Sequence, residues 1–171
     1  MKGYIQIYTG NGKGKTTAAI GLAVRAAGHN KNCFIGQFMK GREYGELKTL
    51  RKIPQIELEQ FGISKCITKE EVSEEYKKKS KKALEKCKSK MLSGKYEIII
   101  LDEINVSIWF GLIKEKDVLD LIEKKPENVE LILTGRYAPE SIIEKADLVT
   151  EMKNIKHYYD NGVNARDGIE R

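Results

Sequence analysis

Residues 9–17 read Thr-Gly-Asn-Gly-Lys-Gly-Lys-Thr-Thr, and this string stands between an apolar run at 4–8 and a helix-like stretch at 18–27. A strand, a glycine-rich turn and a helix in that order are typical of a phosphate-binding loop. The glycines let backbone N–H groups turn toward phosphate oxygens, and the helix directs its positive dipole end at the anion. Lys15 adds a mobile positive charge, and Thr16 adds a hydroxyl for a magnesium ion. The string therefore predicts an α/β fold that binds phosphates.

The loop departs from the usual pattern Gly-x-x-x-x-Gly-Lys-Thr at its first glycine. That position is Thr9 here, and Gly10 comes one place late. We therefore expect the phosphates to lie differently from those in an ordinary ATPase. A glycine-rich turn that binds nothing is the simpler alternative, but the flanking strand and helix favour phosphate.

Composition limits the classes of protein that the chain can represent. Its 171 residues fit one domain, and its net charge of +6 suits an anionic ligand. Three cysteines without a C-x-x-C spacing argue against a disulfide framework or a thiolate zinc site. Residues 1–3 lead straight into a predicted strand, which leaves no room for a signal peptide, and no apolar run reaches membrane-spanning length. We therefore predict a cytoplasmic protein.

Apolar β-branched runs alternate with helix-like stretches along the chain. The runs are apolar on both faces, as expected for parallel strands covered by helices. The alternation predicts an α/β three-layer sandwich with a mainly parallel sheet of about six strands, in one domain over 1–171. The predicted strands are 3–8, 33–39, 55–60, 96–101, 129–134 and 147–152, and the predicted helices are 15–28, 43–51, 69–93, 115–124 and 139–145.

The predicted helix 69–93 carries a dense run of charge, with acidic residues first and lysines after them. That order complements the helix macrodipole, and a solvated helix face explains it most simply. Nucleic-acid binding is the alternative, but it favours aromatic residues among the lysines, and only Tyr76 is there. The residues expected to face inward are Val72, Tyr76, Ala83, Leu84, Cys87 and Met91.

Residues 98–103, Ile-Ile-Ile-Leu-Asp-Glu, place two acids directly after a buried strand. Ligands of parallel sheets collect at the carboxyl ends of the strands, so Asp102 and Glu103 should face the phosphate loop. One of these carboxylates is expected to hold a magnesium ion opposite Thr16, directly or through water. A hydrolytic ATPase would also use a carboxylate here to orient water, so both roles stay open at this point.

Two arginines are further candidates for contact with a nucleotide. Arg136 follows the predicted strand 129–134, where its guanidinium suits phosphate oxygens or the charge on a leaving group. An exposed arginine paired with a neighbouring acid is the alternative. Arg25 lies beyond Lys15 on the first helix, roughly 15 Å along its axis, and reaches phosphate only if the ligand bends back.

Several strings, in order over nearly the whole chain, resemble the ATP:corrinoid adenosyltransferases of the BtuR/CobO/CobP type. The late-glycine loop and the carboxyl-terminal strings are uncommon in other phosphate-loop families. Besides residues 9–17, the strings are Gly36-Gln-Phe-Met-Lys-Gly41, Leu101-Asp-Glu-Ile-Asn105, Leu133-Thr-Gly-Arg136, Ala146-Asp-Leu-Val-Thr-Glu-Met152, Lys156-His157 and Gly162-Val-Asn-Ala-Arg-Asp-Gly-Ile-Glu170.

The resemblance implies a RecA-like P-loop NTPase domain, usually a homodimer, that moves the 5′-deoxyadenosyl group of ATP to the cobalt of a reduced corrinoid. Triphosphate is the second product, and the reaction belongs to cobalamin biosynthesis or salvage. ATP lies reversed in the loop of that family, which is compatible with the shifted glycine. The family also implies Mg²⁺, with Mn²⁺ as a substitute, and a flavoprotein reductant, with no nucleic acid and no membrane as partner.

The resemblance assigns roles residue by residue. Lys15, Glu103 and Arg136 are the expected catalytic residues, and Thr16, Asp102 and Glu103 are the expected metal-side groups. The carboxyl-terminal tail, 153–171, is expected to contribute to the site or the dimer. The expected nucleotide-binding residues are Gly10, Asn11, Gly12, Lys13, Gly14, Lys15, Thr16, Thr17, Arg25, Arg136 and His157.

Two departures from the family pattern concern the corrinoid. Some members have an amino-terminal extension that helps to cover it, whereas this chain begins at the first strand. Some also carry an aromatic pair before the long helix, thought to displace the lower cobalt ligand, and residues 62–69 here contain no aromatic. The apolar residues nearby in sequence are Phe61, Ile63, Ile67, Trp109 and Phe110, and each is more often a core residue.

Three alternative functions stay open. A RecA-like NTPase acting on nucleic acid is favoured by the basic charge and should release orthophosphate when DNA is added. A deoxynucleoside kinase of the thymidine-kinase type shares the loop and the Asp-Glu strand, but often has a zinc site for which the cysteine spacing is wrong. A non-catalytic partner protein would bind magnesium ATP and form no product.

Overall fold

The computed structural model describes residues 2–62 and 68–170. Its strands are β1 (Ile5–Thr9), β2 (Cys33–Gln37), β3 (Ile56–Gln60), β4 (Ile98–Asp102), β5 (Glu130–Thr134) and β6 (Leu148–Glu151). They form one sheet in the order β3-β2-β4-β5-β1-β6, and every neighbouring pair is parallel. The predicted α/β fold with a parallel sheet of six strands is confirmed.

Helices cover both faces of this sheet. They are α1 (Lys15–Ala27), α2 (Gly45–Leu50), α3 (Glu74–Leu92), α4 (Ile104–Trp109), α5 (Glu115–Glu123) and α6 (Glu140–Ile143), followed by a 3₁₀ helix at Tyr158–Asn161. Along β4, Ile98 and Ile100 pack with α1 and α2, whereas Ile99 and Leu101 pack with α3 to α6. Because successive side chains of a strand point to opposite faces, this alternation produces three layers. None of the helices in the described ranges is both long and apolar enough to cross a lipid bilayer.

The long helix α3 begins at Glu74, so the predicted start at residue 69 was wrong. The Ser73 side chain accepts a hydrogen bond from the Tyr76 N–H at 3.2 Å and caps the helix there. Serine favours this position because its oxygen satisfies an N–H group that the first turn leaves unpaired. Val72 consequently precedes the helix instead of facing inward from it. Of the other residues expected to face inward, Tyr76 is half-buried and the rest, Ala83, Leu84, Cys87 and Met91, are buried.

Four lysines of α3 pair with neighbouring acids. Lys90 bonds to Glu57 on β3, and together with Tyr96 and Lys95 it lowers the pKa of that carboxyl to about 2. Further pairs join α3 lysines to acids within the helix or on β3: Lys77 with Glu74, Lys79 with Glu75, and Lys86 with Glu59. This pairing agrees with a solvated helix face that also docks on the sheet.

Helix α4 was not among the predicted helices. It has six residues and follows β4 after the single residue Glu103, whose φ of 61° lies in the left-handed region. It follows the strand directly and has no side-chain cap at its start, so the sequence carries no helix-start signal there. It nevertheless begins the turn of the chain after β4, and this turn sets the position of Glu103 relative to Asp102.

The central strand β4 should dominate the stability of the fold. Leu101 on β4 is fully buried, whereas Leu148 on the edge strand β6 is 44% exposed. We expect Leu101→Ala to lower the free energy of unfolding by about 2–5 kcal/mol, because the cavity it leaves cannot collapse fully. The matched control Leu148→Ala should cost clearly less, since it removes little buried surface. Urea unfolding of both variants measures this, and equal losses would contradict the assignment of the core.

Candidate active site

The phosphate loop runs from the end of β1 to Gly14, which directly precedes α1. Gly10 and Gly14 have φ values of 90° and 117°, a conformation that L side chains rarely adopt. A Cβ atom at Gly10 would lie 2.4 Å from the carbonyl oxygen of Met152, and one at Gly12 would lie 2.7 Å from the same oxygen. The late glycine is thus explained locally, because the turn begins only after Thr9 has completed the strand.

Lys15 is the first residue of α1, and its side chain folds back into the loop. It is buried, and its Nζ donates to the carbonyl oxygen of Gly12 at 2.6 Å. Burial lowers the pKa of Lys15, and the carboxylate of Glu103 acts in the opposite direction. The ammonium group is therefore held within the loop, close enough to Glu103 and Asp102 for their charges to act on its pKa.

Asp102, the last residue of β4, is the buried centre of this site. Its Oδ1 accepts hydrogen bonds from Thr16 Oγ1 at 2.9 Å and from Thr134 Oγ1 at 2.7 Å. Its Oδ2 accepts one from Gln37 Nε2 at 3.2 Å and lies 3.1 Å from Lys40 Nζ. These partners come from α1, β5, β2 and the segment after β2, so one carboxylate joins the phosphate loop to two neighbouring strands.

Lys40 is a site residue to which the sequence alone assigned no role beyond its place in the string 36–41. Its Nζ lies 3.2 Å from Thr16 Oγ1 and 3.8 Å from a carboxylate oxygen of Glu46. The ammonium therefore stands beside both the hydroxyl and the carboxylate predicted to face a metal ion. The signal in the sequence was its position just beyond the carboxyl end of a predicted strand.

Glu103 is held differently from Asp102, although the two are adjacent. Its backbone is in the left-handed region, and its N–H donates to Thr134 Oγ1 at 3.0 Å. Burial raises the pKa of Glu103, and the charge of Asp102 raises it further. Thr134 therefore accepts from one acidic residue and donates to the other, which fixes their relative orientation.

A cavity of about 350 Å³ adjoins these residues. Five of its lining residues carry charged groups, namely Lys40, Arg42, Lys79, Glu103 and Arg136. Much of the remaining wall is aromatic, with rings from Phe38, Tyr44, Phe61, Tyr76 and Phe110. Since Lys40 also contacts Thr16 and Asp102, the cavity and the phosphate loop are neighbouring parts of one site.

Two of the apolar residues noted near the segment that lacks the aromatic pair, Phe61 and Phe110, line this cavity instead of lying wholly in the core. Trp109 instead stacks on Tyr137, with ring centroids 4.6 Å apart, and Lys69 Nζ lies 3.5 Å from the centroid of its ring. Ile63 and Ile67 lie outside the described residues.

The structure brings some of the predicted nucleotide contacts together and leaves others apart. Arg136 is exposed and lines the cavity, and its guanidinium lies 5.7 Å from the ring centroid of Tyr137. Arg25 lies in the last turn of α1, at the far end of that helix from the phosphate loop. Thr17 is exposed on the first turn of α1. Their contacts with a nucleotide stay predictions.

The carboxyl-terminal tail folds against the phosphate loop. Lys13 Nζ donates to Tyr158 Oη at 2.7 Å and to Glu170 Oε1 at 2.6 Å, and Asn11 Oδ1 accepts from the Asn154 N–H at 3.2 Å. The predicted site residue His157 serves the tail itself, since its Nδ1 accepts the N–H of residue 159 at 3.1 Å and caps the 3₁₀ helix.

Comparison with known proteins identifies relatives over the length of the chain. The family described as ATP:corrinoid adenosyltransferase BtuR/CobO/CobP matches residues 1–171. A corrinoid adenosyltransferase of Sinorhizobium is 36% identical, over 99% of this chain and 80% of that protein. The corrinoid adenosyltransferase CobA of Salmonella typhimurium is 32% identical, and that of Escherichia coli strain K12 is 31% identical, each over 99% of this chain and 86% of the relative.

The hydroxyl of Thr134 gives a direct test of the hydrogen-bond network. We expect Thr134→Val to lower the free energy of unfolding by about 1–3 kcal/mol, because it removes a donor from buried Asp102 and leaves the Glu103 N–H without its acceptor. Thr134→Ser retains the hydroxyl and is the matched control. Urea unfolding of the two variants decides the point, and a valine variant as stable as the serine variant would contradict the network.

Proposed function

The chain belongs to the ATP:corrinoid adenosyltransferase family, and on that basis we propose that it transfers the 5′-deoxyadenosyl group of ATP to the Co(I) centre of a reduced corrinoid, with release of triphosphate. The observation that carries this proposal is the contact between the two halves of the site. Lys40 lines the aromatic cavity and also contacts Thr16 of the phosphate loop. A nucleotide held in the loop would therefore adjoin a space with aromatic walls.

The reaction needs no nucleophile from the protein. An electron pair of Co(I) attacks C5′ of the ribose, a cobalt–carbon bond forms, and the bond between C5′ and its oxygen breaks. The bonding pair leaves with the triphosphate. The rate of the transfer then depends on groups that stabilise the negative charge developing on the leaving oxygen. The corrinoid supplies the reactive metal, while the protein supplies position and electrostatics.

Lys15 and the loop N–H groups are the groups we assign to the triphosphate. Lys15 is already confined by its hydrogen bond to Gly12, so its charge is fixed in place before a ligand arrives. Preorganised donors of this kind stabilise a transition state without reorganising at the moment of reaction. Arg136 lines the cavity, and burial together with its charge lowers the pKa of Lys15, so the arginine would add a second cation near the loop.

Mg²⁺ is part of the proposal, and the donor set fits it. The Thr16 hydroxyl lies 2.9 Å from the Asp102 carboxylate, and the Glu103 carboxylate follows in the chain. These are hard oxygen donors, which magnesium prefers, and it takes few protein ligands when phosphates and water complete its shell. When bound, Mg²⁺ would neutralise phosphate charge. Mn²⁺ accepts the same ligands and would substitute for it.

The proposal extends to the surroundings of the enzyme. We place it in the cytoplasm, in a homodimer of chains that each form one domain over 1–171, with a flavoprotein as the source of electrons. A reducing compartment suits the Co(I) state, and the free thiols of Cys33 and Cys87 agree with it. The family resemblance supports the dimer and the reductant.

The alternative of a nucleic-acid-dependent NTPase gains no support. The relatives are named as corrinoid adenosyltransferases, and several lysines of the basic helix α3 pair with acids. Tyr76, the one aromatic residue among those charges, contributes to the cavity wall.

Anaerobic incubation with Mg-ATP and chemically reduced cobalamin tests the proposed reaction. The Co(I) absorption band should disappear with formation of an equal amount of triphosphate. Lys15→Ala should lower kcat/KM by about 100- to 1000-fold, as expected for loss of a preorganised charge in the transition state. Lys52→Ala, which alters an exposed lysine outside the site, should leave the rate unchanged. Release of orthophosphate without a corrinoid product would contradict the proposal.

The contacts of Lys40 predict how the site responds to metal. Its ammonium stands 3.1 Å from Asp102 and would compete with a divalent cation for that carboxylate. We expect Lys40→Met to lower the Mg²⁺ concentration needed for half-maximal ATP binding by about tenfold, whereas Lys40→Arg keeps the charge and should not. Calorimetric titration of ATP at several Mg²⁺ concentrations measures this. An equal or greater demand for Mg²⁺ in the methionine variant would contradict the competition.

A further inference from the structure

Met152 and the tail that follows it are joined to several residues of the phosphate loop. The Gly12 N–H donates to the carbonyl oxygen of Met152 at 2.7 Å, and the Met152 N–H donates to the carbonyl oxygen of Thr9 at 2.9 Å. Asn11 accepts the N–H of Asn154 through its side chain. These bonds tie the backbone of the loop to the chain directly after β6, at the edge of the sheet.

Lys13 makes the last of these contacts, and it reaches the far end of the tail. Glu170 lies 157 residues away in the sequence, yet its carboxylate meets the Lys13 ammonium at 2.6 Å. The same carboxylate accepts from the Tyr158 hydroxyl, from the Arg166 N–H at 2.8 Å and from the Arg166 guanidinium at 3.2 Å. The Glu170 side chain is only 17% exposed.

The electrostatics of this cluster favour a fixed arrangement. Arg166, Lys13 and Tyr158 all donate to Glu170 and hold the pKa of its carboxyl far below the ordinary range. The charges of Lys13 and Arg166 also lie 5.5 and 4.8 Å from the ring centroid of Tyr158. Charge-assisted hydrogen bonds that share one acceptor are stronger than isolated surface ion pairs.

Lys13 lies between Gly12 and Gly14. Glycine has more backbone freedom than other residues, so both neighbours of Lys13 are conformationally permissive. Because the Lys13 side chain is held by the tail, it restricts the backbone conformation of the loop between these two glycines. An ammonium has three donors, and Tyr158 and Glu170 take two of them, so one remains for a phosphate oxygen.

We propose that Glu170 is a positioning residue for ATP, which acts through Lys13 to hold the phosphate loop in its binding conformation. The end of the tail then restrains the phosphate loop through Lys13. This contact gives the string Gly168-Ile169-Glu170 a role in positioning the loop. This inference rests on the proposed function, because it assumes that the loop binds ATP. It concerns ATP affinity and not the transfer step.

Calorimetric titration with Mg-ATP, in the absence of corrinoid, tests this role. We expect Glu170→Ala to weaken ATP binding by about tenfold, and Glu170→Gln, which keeps the shape but not the charge, by less. In steady-state assays the KM for ATP should rise while kcat stays close to that of the wild type. Asp160→Asn, which neutralises another exposed acid of the tail, should change neither quantity.

A double-mutant cycle with Lys13→Ala separates positioning from a general loss of structure. If Glu170 acts through Lys13, Glu170→Ala should have little further effect on ATP affinity in the Lys13→Ala background. An equal effect in both backgrounds, or no effect of Glu170→Ala on the wild type, would overturn the inference. A wild-type protein that binds no ATP would instead overturn the proposed function, so the two failures are distinguishable.

Discussion

The buried carboxylate of Asp102 is the interaction on which the rest of the site depends. A charge removed from water must be paired and hydrogen-bonded, and here the partners come from the phosphate loop, from both neighbouring strands and from Lys40. Removing any one partner leaves the others around an incompletely satisfied charge. The requirement that stabilises the sheet edge therefore also holds Thr16 and Lys40 beside the carboxylate.

The parallel sheet explains why the phosphate loop and an aromatic cavity adjoin. The carboxyl ends of β1, β2, β4 and β5 lie at one edge, and each continues into a segment that carries a site residue. Lys40 follows β2, Glu103 follows β4 and Arg136 follows β5, and all three line the cavity. Two ligands that must react can thus be held by neighbouring loops on one rigid scaffold.

The sequence predicted the strands, most helices and the phosphate loop, because hydrophobic patterns and glycine spacing are local signals. It did not predict α4, which starts directly after β4 from a left-handed Glu103 without a side-chain cap, because such a start leaves no capping signal in the sequence. It placed the start of α3 too early, because charged residues before Ser73 resemble a first helical turn. The roles of Lys40, Thr134 and Glu170 depend on contacts between distant segments, such as that of Lys13 with Glu170, and no local pattern encodes these.

We propose that the loop holds the triphosphate as a leaving group while C5′ of the ribose is attacked. ATP carrying oxygen-18 at the bridging atom between C5′ and the α-phosphorus tests it most directly. Mass spectrometry of the products, after reaction with a reduced corrinoid, should find the heavy oxygen entirely in triphosphate, because the carbon–oxygen bond breaks. Heavy oxygen retained in adenosine or ADP would mean that a phosphorus–oxygen bond breaks instead, and would contradict the account.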